Sequence, residues 1–435
     1  MCSMRIRVLG AAREVGRSAV LVEQDGSRIL MDYGVSVGTG RNKDPAFPIH
    51  VRPRDVGALV ITHAHLDHSG AAPLFEVDPG RSPAIYATSP TVRLSELLLH
   101  DFVKVTGDAS PFTDYEVAKF AEDARAIDYG EDVRVGDLTF RLTNAGHVPG
   151  SAMIYVEGSR RVLYTGDMNR SDTELLRGYG DGGPMPEADV VVAESTYSQT
   201  QHPSRDEEER ALVEYAKEVV ERKGTLLIPA FAVGRAQEVA MALRRHRFPH
   251  RVYMDGMALK VNELMTSIPD YVRDPEALED ALNSLEYVNS WGMRKRIVEE
   301  PGVIISPAGM LVGGASIFYS KRISEGDRNG VAIVAYQAPE TPGRKLLDKG
   351  ELEVPDEGKK RRVKAEVRRF DFSSHSGRDE LLKFFTEDIR GDPLIILVHG
   401  DEEPMLKFAE ELRGKGLKVE VPTAGQEFEI GGAVS

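Results

Sequence analysis

A chain of 435 residues with 41% hydrophobic and 29% charged residues has enough apolar side chains for two or three packed cores, yet no apolar run approaches bilayer length. A formal net charge of −14 argues against general polyanion binding, and a single cysteine, Cys2, excludes an internal disulfide and any cysteine-based zinc site. Met1-Cys2-Ser3-Met4 leads straight into a strand pattern with no signal peptide visible, so a cytoplasmic protein without a membrane partner is expected, Cys2 being a bystander at a frayed terminus.

Residues 4–32 read as a β-meander, with a Gly-containing turn at Gly10 to Gly16, a tight Asp25-Gly26 turn and a last strand closed by Asp32. A carboxylate there serves either as a turn former or as the holder of a metal-ligating histidine. Ala58-Leu59-Val60-Ile61 is a further strand, and it opens into Thr62-His63-Ala64-His65-Leu66-Asp67-His68. Positions i and i+2 of an extended chain share a side, so His63 and His65 face one ion together, while Asp67 and His68 follow where the chain turns. One continuous backbone does not easily wrap all four around a single tetrahedral ion, which makes two adjacent ions the better reading. Imidazole and carboxylate without thiolate suit zinc in a hydrolytic site, with manganese or iron as alternatives.

Helical periodicity follows at 71–75, 91–105 and 111–123, with a short strand at 84–87. A hairpin at 133–142 ends in the loop Asn144 to Ser151, where glycines and a proline flank His147. Strands at 152–157 and 161–164 lead to Thr165-Gly166-Asp167, and the apolar run 188–193 leads to Glu194-Ser195-Thr196-Tyr197. A histidine or carboxylate at one strand end after another is what a layered α/β fold produces when its active site gathers on loops at one sheet edge.

Near residue 203 the texture changes. Ser204 caps a helix to Arg222 that Gly224 ends, Leu226 to Pro229 is a buried strand, and Gly234-Arg235-Ala236-Gln237 opens a helix through His246. Arg235 at that helix start is placed to hold a phosphate. Strands at 251–254, 303–306 and 331–335 alternate with helices near Lys260, Ala277 and Ser290, a βαβα rhythm that implies a second domain with a parallel sheet. Gly350 to Lys360 is polar and turn-rich. The meander texture returns from Val363, through Ser373-Ser374-His375-Ser376-Gly377, a helix at 381–385 and Leu394 to Val398 before His399. Basic clusters at Arg244, Arg245, Arg247 and Arg251, and from Lys359 to Arg369, read as solvated faces, or, for the second, as a lining of a nucleic-acid path toward His375.

Asp32, His63-x-His65-x-Asp67-His68, His147 and Asp167 resemble the first four motifs of the metallo-β-lactamase fold. Glu194, His375 and His399 resemble three further motifs of its β-CASP branch, which includes archaeal cleavage and polyadenylation specificity factor-like nucleases and the related RNase J. The resemblance is to the short archaeal form without KH domains. It implies an α/β fold, an αββα sandwich formed by residues 1–202 and 361–435, with an inserted α/β β-CASP domain of mainly parallel sheet at 203–360.

The resemblance also implies two Zn2+ per chain, with Mn2+ as an alternative. His63, His65 and His147 would bind one ion, Asp67, His68 and His399 the other, and Asp167 would bridge them. Asp32 would orient a ligand and the bridging water, and Asp32, Asp67, Glu194 and His375 would form the catalytic set, with Glu194 steadying His375 as general acid. Many relatives read Ser-Ala-His-Ala-Asp where this chain reads Ser374-His375-Ser376-Gly377, so one acid is missing beside His375. The implied activity is hydrolysis of RNA phosphodiesters by metal-activated water, leaving a 5′-phosphate and a 3′-hydroxyl, in endonucleolytic or 5′ to 3′ exonucleolytic mode, for RNA 3′-end processing or decay. Single-stranded RNA is the expected partner, with Arg235, Ser374 and Ser376 in contact with it. A histidine at 399, where DNA-acting members tend to carry valine, favours RNA over DNA, and the full ligand set argues against an inactive scaffold subunit. A homodimer and a place in an RNA-processing or decay complex are further implications.

Overall fold

The computed structural model describes residues 3–36, 44–77, 82–182, 185–338, 340–354 and 359–431. Cys2 lies outside them. Two seven-stranded sheets pack face to face. The first runs, edge to edge, through Glu427–Ile430, Met4–Val8, Val20–Gln24, Ser27–Met31, Ala58–Val60, Ala84–Ala87 and Arg125–Ala126. The second runs through Lys418–Glu420, Leu394–Val398, Val190–Glu194, Arg161–Tyr164, Ala152–Glu157, Leu138–Asn144 and Asp132–Val135.

The period of two in a strand decides what each side chain meets. Val190 and Val192 point into the core between the sheets with Ile6, Val22 and Val60, while Val191 and Ala193 point outward onto Phe384, Met405 and Phe408. The consecutive helical segments Arg378–Lys383 and Phe384–Asp388 and helix Glu402–Gly414 bring those residues to the outer face. On the other side Leu21, Leu30 and Leu59 meet helices Ser89–Thr106 and Asp114–Asp123. The layers are therefore helix, sheet, sheet, helix. The Asp25-Gly26 turn has φ of +49° and +84°, the left-handed pair that a two-residue hairpin requires.

The inserted unit holds a six-stranded, wholly parallel sheet in the order Glu286–Tyr287, Val252–Met254, Gly302–Ser306, Thr225–Pro229, Gly330–Ile333, Glu366–Arg369. Buried on both faces, its central strands read as continuous apolar runs. The last strand carries this unit to residue 369, beyond the boundary expected at 360, because Val331 and Ile333 pair with Val367 and Arg369. A meander texture in sequence does not reveal which sheet a strand joins. Within the turn-rich stretch, Glu351–Val354 pairs with Lys359–Arg362. Helices Gly314–Ile323 and Pro342–Lys349 were not expected; the first carries no strong apolar stripe, and the second is only eight residues long. Ser204 stands at the helix start as expected, but its hydroxyl makes no capping bond.

Among the described residues no helix is long and apolar enough to cross a membrane.

Candidate metal centre and active site

Six chemistry-bearing side chains leave the ends of neighbouring strands on one side of the sandwich. Asp32 follows Ser27–Met31, His63 follows Ala58–Val60, His147 follows Leu138–Asn144, Asp167 follows Arg161–Tyr164, Glu194 ends its own strand, and His399 follows Leu394–Val398. Asp32 and His399 hold left-handed backbone, φ +58° and +49°, an uncommon state for residues other than glycine.

The side chains converge into two groups that share Asp167. His63, His65, His147 and Asp167 form one, and Asp67, His68, Asp167 and His399 the other, the offered ligand atoms in each lying within 4.8 Å of one another. Asp167 Oδ2 faces His63 Nε2 at 3.6 Å and His147 Nε2 at 3.7 Å, while Oδ1 faces His68 Nε2 at 3.2 Å and His399 Nδ1 at 3.4 Å. One carboxylate thus presents an oxygen to each group. His147 Nε2 lies 3.1 Å from His65 Nδ1, and His68 Nε2 lies 3.4 Å from His399 Nε2.

Neighbours fix the tautomers. His68 Nδ1 donates to Asp32 Oδ2 at 2.7 Å, and His147 Nδ1 donates to the Ser374 carbonyl at 2.8 Å, so each ring turns its Nε2 inward. Burial pushes His63 and His147 well below the imidazole range and His65 down to about 4, leaving these rings neutral. Burial also works against charge on His68, but the Asp167 and Asp32 carboxylates outweigh it and hold that ring well above its ordinary value. His63 Nε2, His65 Nε2 and Asp167 Oδ1 are buried without a hydrogen-bond partner. Orphaned lone pairs in a field negative enough to hold a proton fit divalent cations.

Beside the second oxygen of Asp167 stands His375, with Nε2 4.0 Å away. Its Nδ1 bonds both Glu194 oxygens, at 3.0 and 3.1 Å, and Glu194 is anchored by the Met168 N–H at 2.7 Å. Burial disfavours charge on His375, yet Glu194 and Asp167 prevail and raise its pKa to about 9. His65, Asp67 and His375 are the partly exposed members, so the cluster opens on their side. Across that opening lies the inserted unit, with Phe231 6.3 Å from the His65 ring and Tyr336 6.2 Å from the Tyr197 ring.

Comparison with known proteins finds this architecture in three consecutive matches. Residues 12–211 match the metallo-beta-lactamase superfamily, 236–346 the Beta-Casp domain, and 360–422 the Zn-dependent metallo-hydrolase RNA specificity domain. The chain is 38% identical to RNase aCSPSF2 of Saccharolobus solfataricus, over 98% of this chain and 85% of that one. The chain belongs to the β-CASP family of metallo-β-lactamase nucleases. It is also 34% identical to a ribonuclease of Thermus thermophilus over 97% of this chain and 99% of that one. A transcription termination factor of Methanocaldococcus jannaschii is 34% identical over 94% of this chain and 69% of its own. These relatives make it an archaeal cleavage-factor-like member of the β-CASP family, and the superfamily implies divalent metal binding.

Within this β-CASP site two residues escaped sequence reading. Thr62 donates to Asp32 through N at 2.7 Å and Oγ1 at 2.8 Å, and the Tyr164 hydroxyl donates to Asp32 Oδ2 at 2.9 Å. With His68, four donors therefore converge on one fully buried carboxylate. A threonine and a tyrosine at strand ends look like ordinary β formers; only their place next to metal-type motifs could have flagged them.

The expected RNA contacts divide. Ser374 lies at the site, its hydroxyl accepting from Arg235 Nη2 at 2.9 Å. Ser376 does not: it is fully buried and its hydroxyl accepts from the Arg170 N–H at 3.0 Å, which pins the loop instead. Part of each basic cluster is engaged in ion pairs. Arg244 pairs with Asp280, Arg251 with Glu286 and Arg361 with Glu325, and Arg368 pairs with Glu218 and Glu366 while lying 4.2 Å over the Tyr215 ring. A further cluster, Asp206, Glu209 and His246, has its cation already: Arg245 reaches Glu209 at 3.2 Å and Glu174 at 2.6 Å, tying the inserted unit to the sandwich.

Proposed function

We propose that the protein is a zinc-dependent ribonuclease that hydrolyses phosphodiester bonds of single-stranded RNA, leaving a 5′-phosphate and a 3′-hydroxyl, in RNA processing or transcription termination. The observation that carries this reading is the Glu194–His375 pair set beside a shared-carboxylate double metal cluster. His63, His65 and His147 would hold one ion and Asp67, His68 and His399 the other, with Asp167 between them. Imidazole-rich sets of this kind suit zinc. When bound, two such ions supply a nucleophilic water at neutral pH and offset the charge that builds on a phosphate in flight.

The remaining work belongs to the side chains. Asp32, gripped by Thr62 and Tyr164, keeps the His68 ring fixed, so the ligand needs no reorganisation during reaction. A ribose 3′-oxygen leaves poorly as an alkoxide and requires a proton in the transition state. His375 carries one at neutral pH because Glu194 stabilises the imidazolium, and it stands within reach of the cluster on the open side. Arg235, hydrogen-bonded to Ser374 beside His375, would hold a phosphate of the strand. The matched RNA specificity domain and relatives named ribonucleases favour RNA as the substrate.

The test uses one RNA labelled separately at each end, bearing a 5′-monophosphate or a 5′-triphosphate, and a DNA strand of the same sequence, with wild type and His375→Ala. Cleavage that needs added zinc and His375 supports the proposal, internal fragments marking an endonuclease and 5′ mononucleotides an exonuclease. Cutting of DNA alone, or no cutting of either, overturns it.

A further inference from the structure

The loops that follow parallel strands gather on one edge of a sheet, and in the inserted sheet that edge looks toward the candidate metal groups. Phe231 follows Thr225–Pro229 and lies 6.3 Å from the His65 ring, and Tyr336 follows Gly330–Ile333 and lies 6.2 Å from the Tyr197 ring. Two more loops continue the edge away from the site. The one after Gly302–Ser306 packs against the first, since a Cβ at Gly309 would stand 3.2 Å from the Phe231 nitrogen. The one after Glu286–Tyr287 opens helix Trp291–Ile297, which Arg294 ties to the same edge by donating from Nε and Nη2 to Asp255 at 2.7 and 2.9 Å. Asp255 itself follows Val252–Met254.

Trp291, the only tryptophan in the chain, is 52% exposed at this outer end. Its ring meets Phe318 at 4.7 Å, and Arg294 and Lys295 hold cations 5.8 and 5.9 Å from its centre. Those contacts fix the ring without covering it. Val312 in the neighbouring loop is 49% exposed, and a Cβ added at Gly292 or Gly313 would meet nothing within 4 Å, so the space beside the ring is open. The surroundings are basic in a chain whose net charge is −14. Arg294, Lys295 and Arg296 belong to the helix of Trp291, and Arg322 stands one helical turn from Phe318. Arg294 is neutralised by Asp255 and Arg296 meets Glu300, but Lys295 and Arg322 form no ion pair among the described residues. An exposed aromatic plane flanked by unpaired cations fits a base and its phosphates, the ring taking the π-face and the cations the diesters on either side. Continuity with the edge that faces the metal groups favours a single strand over a protein partner.

We propose that Trp291, backed by Phe318 and flanked by Lys295 and Arg322, is a stacking platform for a base of single-stranded RNA remote from the cut. The proposal rests on the ribonuclease reading and extends it. Three strand spacings, about 15 Å, separate Glu286–Tyr287 from Thr225–Pro229, so the base held belongs to a nucleotide away from the scissile bond. Every base has a π-face, so the platform accepts any of them.

Because Trp291 is the sole tryptophan, its emission reports on the site directly. Zinc-loaded protein carrying His375→Ala is titrated with a single-stranded RNA of about twelve nucleotides and with a ribose-phosphate strand of the same length that lacks bases. Tryptophan emission is read with unlabelled strands and anisotropy with end-labelled ones. The RNA should quench the emission in step with the anisotropy, while the baseless strand should bind at least about tenfold more weakly and leave the emission unchanged. Trp291→Ala should weaken RNA binding about tenfold and narrow the gap between the two strands, and Trp291→Phe should keep most of the affinity. RNA that binds without quenching, or that binds Trp291→Ala as tightly as the parent, overturns the proposal and leaves the ribonuclease reading intact; no binding of either strand sinks both. Quenching that follows protein concentration without RNA, with a doubled mass in light scattering, assigns the surface to a second copy of the chain and also overturns the proposal. Trp291 is exposed, so its variants should keep the parent's melting curve.

Discussion

In the proposed reaction, protonation of His375 is where single residues decide the rate. If His375 is the general acid, the ring must carry its proton to donate it, so cleavage falls as pH rises through the His375 pKa, which burial pushes down and Glu194 holds up. Glu194→Gln removes this support, so the basic limb of the pH–rate profile should move to lower pH while metal content stays unchanged. Replacing His375 by Ala should cost about 10²- to 10⁴-fold in cleavage rate. One layer further out, Tyr164→Phe deletes one of the four donors to Asp32 and nothing else. Stability should drop by about 1–2 kcal/mol and zinc affinity by about tenfold, read by denaturation and by competition with a chromophoric chelator. The distances behind these statements lie between residues far apart in sequence, such as Asp32 and Tyr164.

At the scale of elements, the loops matter because strand ends place them. Gly146 has φ +73°, and a Cβ there would lie 2.5 Å from the Asn169 carbonyl oxygen, a backbone atom that cannot step aside. Gly146→Ala should therefore destabilise the His147 loop by about 1–3 kcal/mol in urea denaturation. The segment from Asp371 to His375 is held by the His202–Asp371 pair. Burial opposes charge on Asp371, but the His202 contact wins and lowers its pKa to about 2, so its contribution is complete above the unfolded carboxyl range near 4 and is lost as pH falls toward 2. Asp371→Asn should cost stability near neutrality, and the gap from wild type should close below about pH 4. Much of this level was legible beforehand. Apolar runs ending in His63, Asp167, Glu194 and His399 announced both the strands and the shared edge, since period and polarity are local properties. Sheet membership was not: Glu366–Arg369 joins the inserted sheet through pairing with Gly330–Ile333, a choice made by long-range packing. For the same reason Ser376 looked available in sequence and proves to be bonded to Arg170, and Arg244 and Arg368 prove to be paired with acids.

For the whole molecule, the sandwich supplies the candidate ligands and the inserted unit supplies the opposite wall, with Phe231, Tyr336 and Arg235 facing residues 65, 197 and 374. Ions that bind only the folded site stabilise it by mass action, about 4 kcal/mol at a thousandfold excess over Kd. Chelation should therefore lower the melting temperature, zinc should restore it, and Asp167→Asn, which weakens both groups together, should melt early with or without zinc. The most direct measurement of the central claim is cleavage of single-stranded RNA in ¹⁸O-labelled water followed by mass spectrometry of the products. Attack by water with departure of the 3′-oxygen predicts one ¹⁸O in the new 5′-phosphate and an unlabelled 3′-hydroxyl on the other fragment. A 3′-phosphate or a 2′,3′-cyclic phosphate would contradict it, because the 5′-oxygen, not the 3′-oxygen, would then have departed.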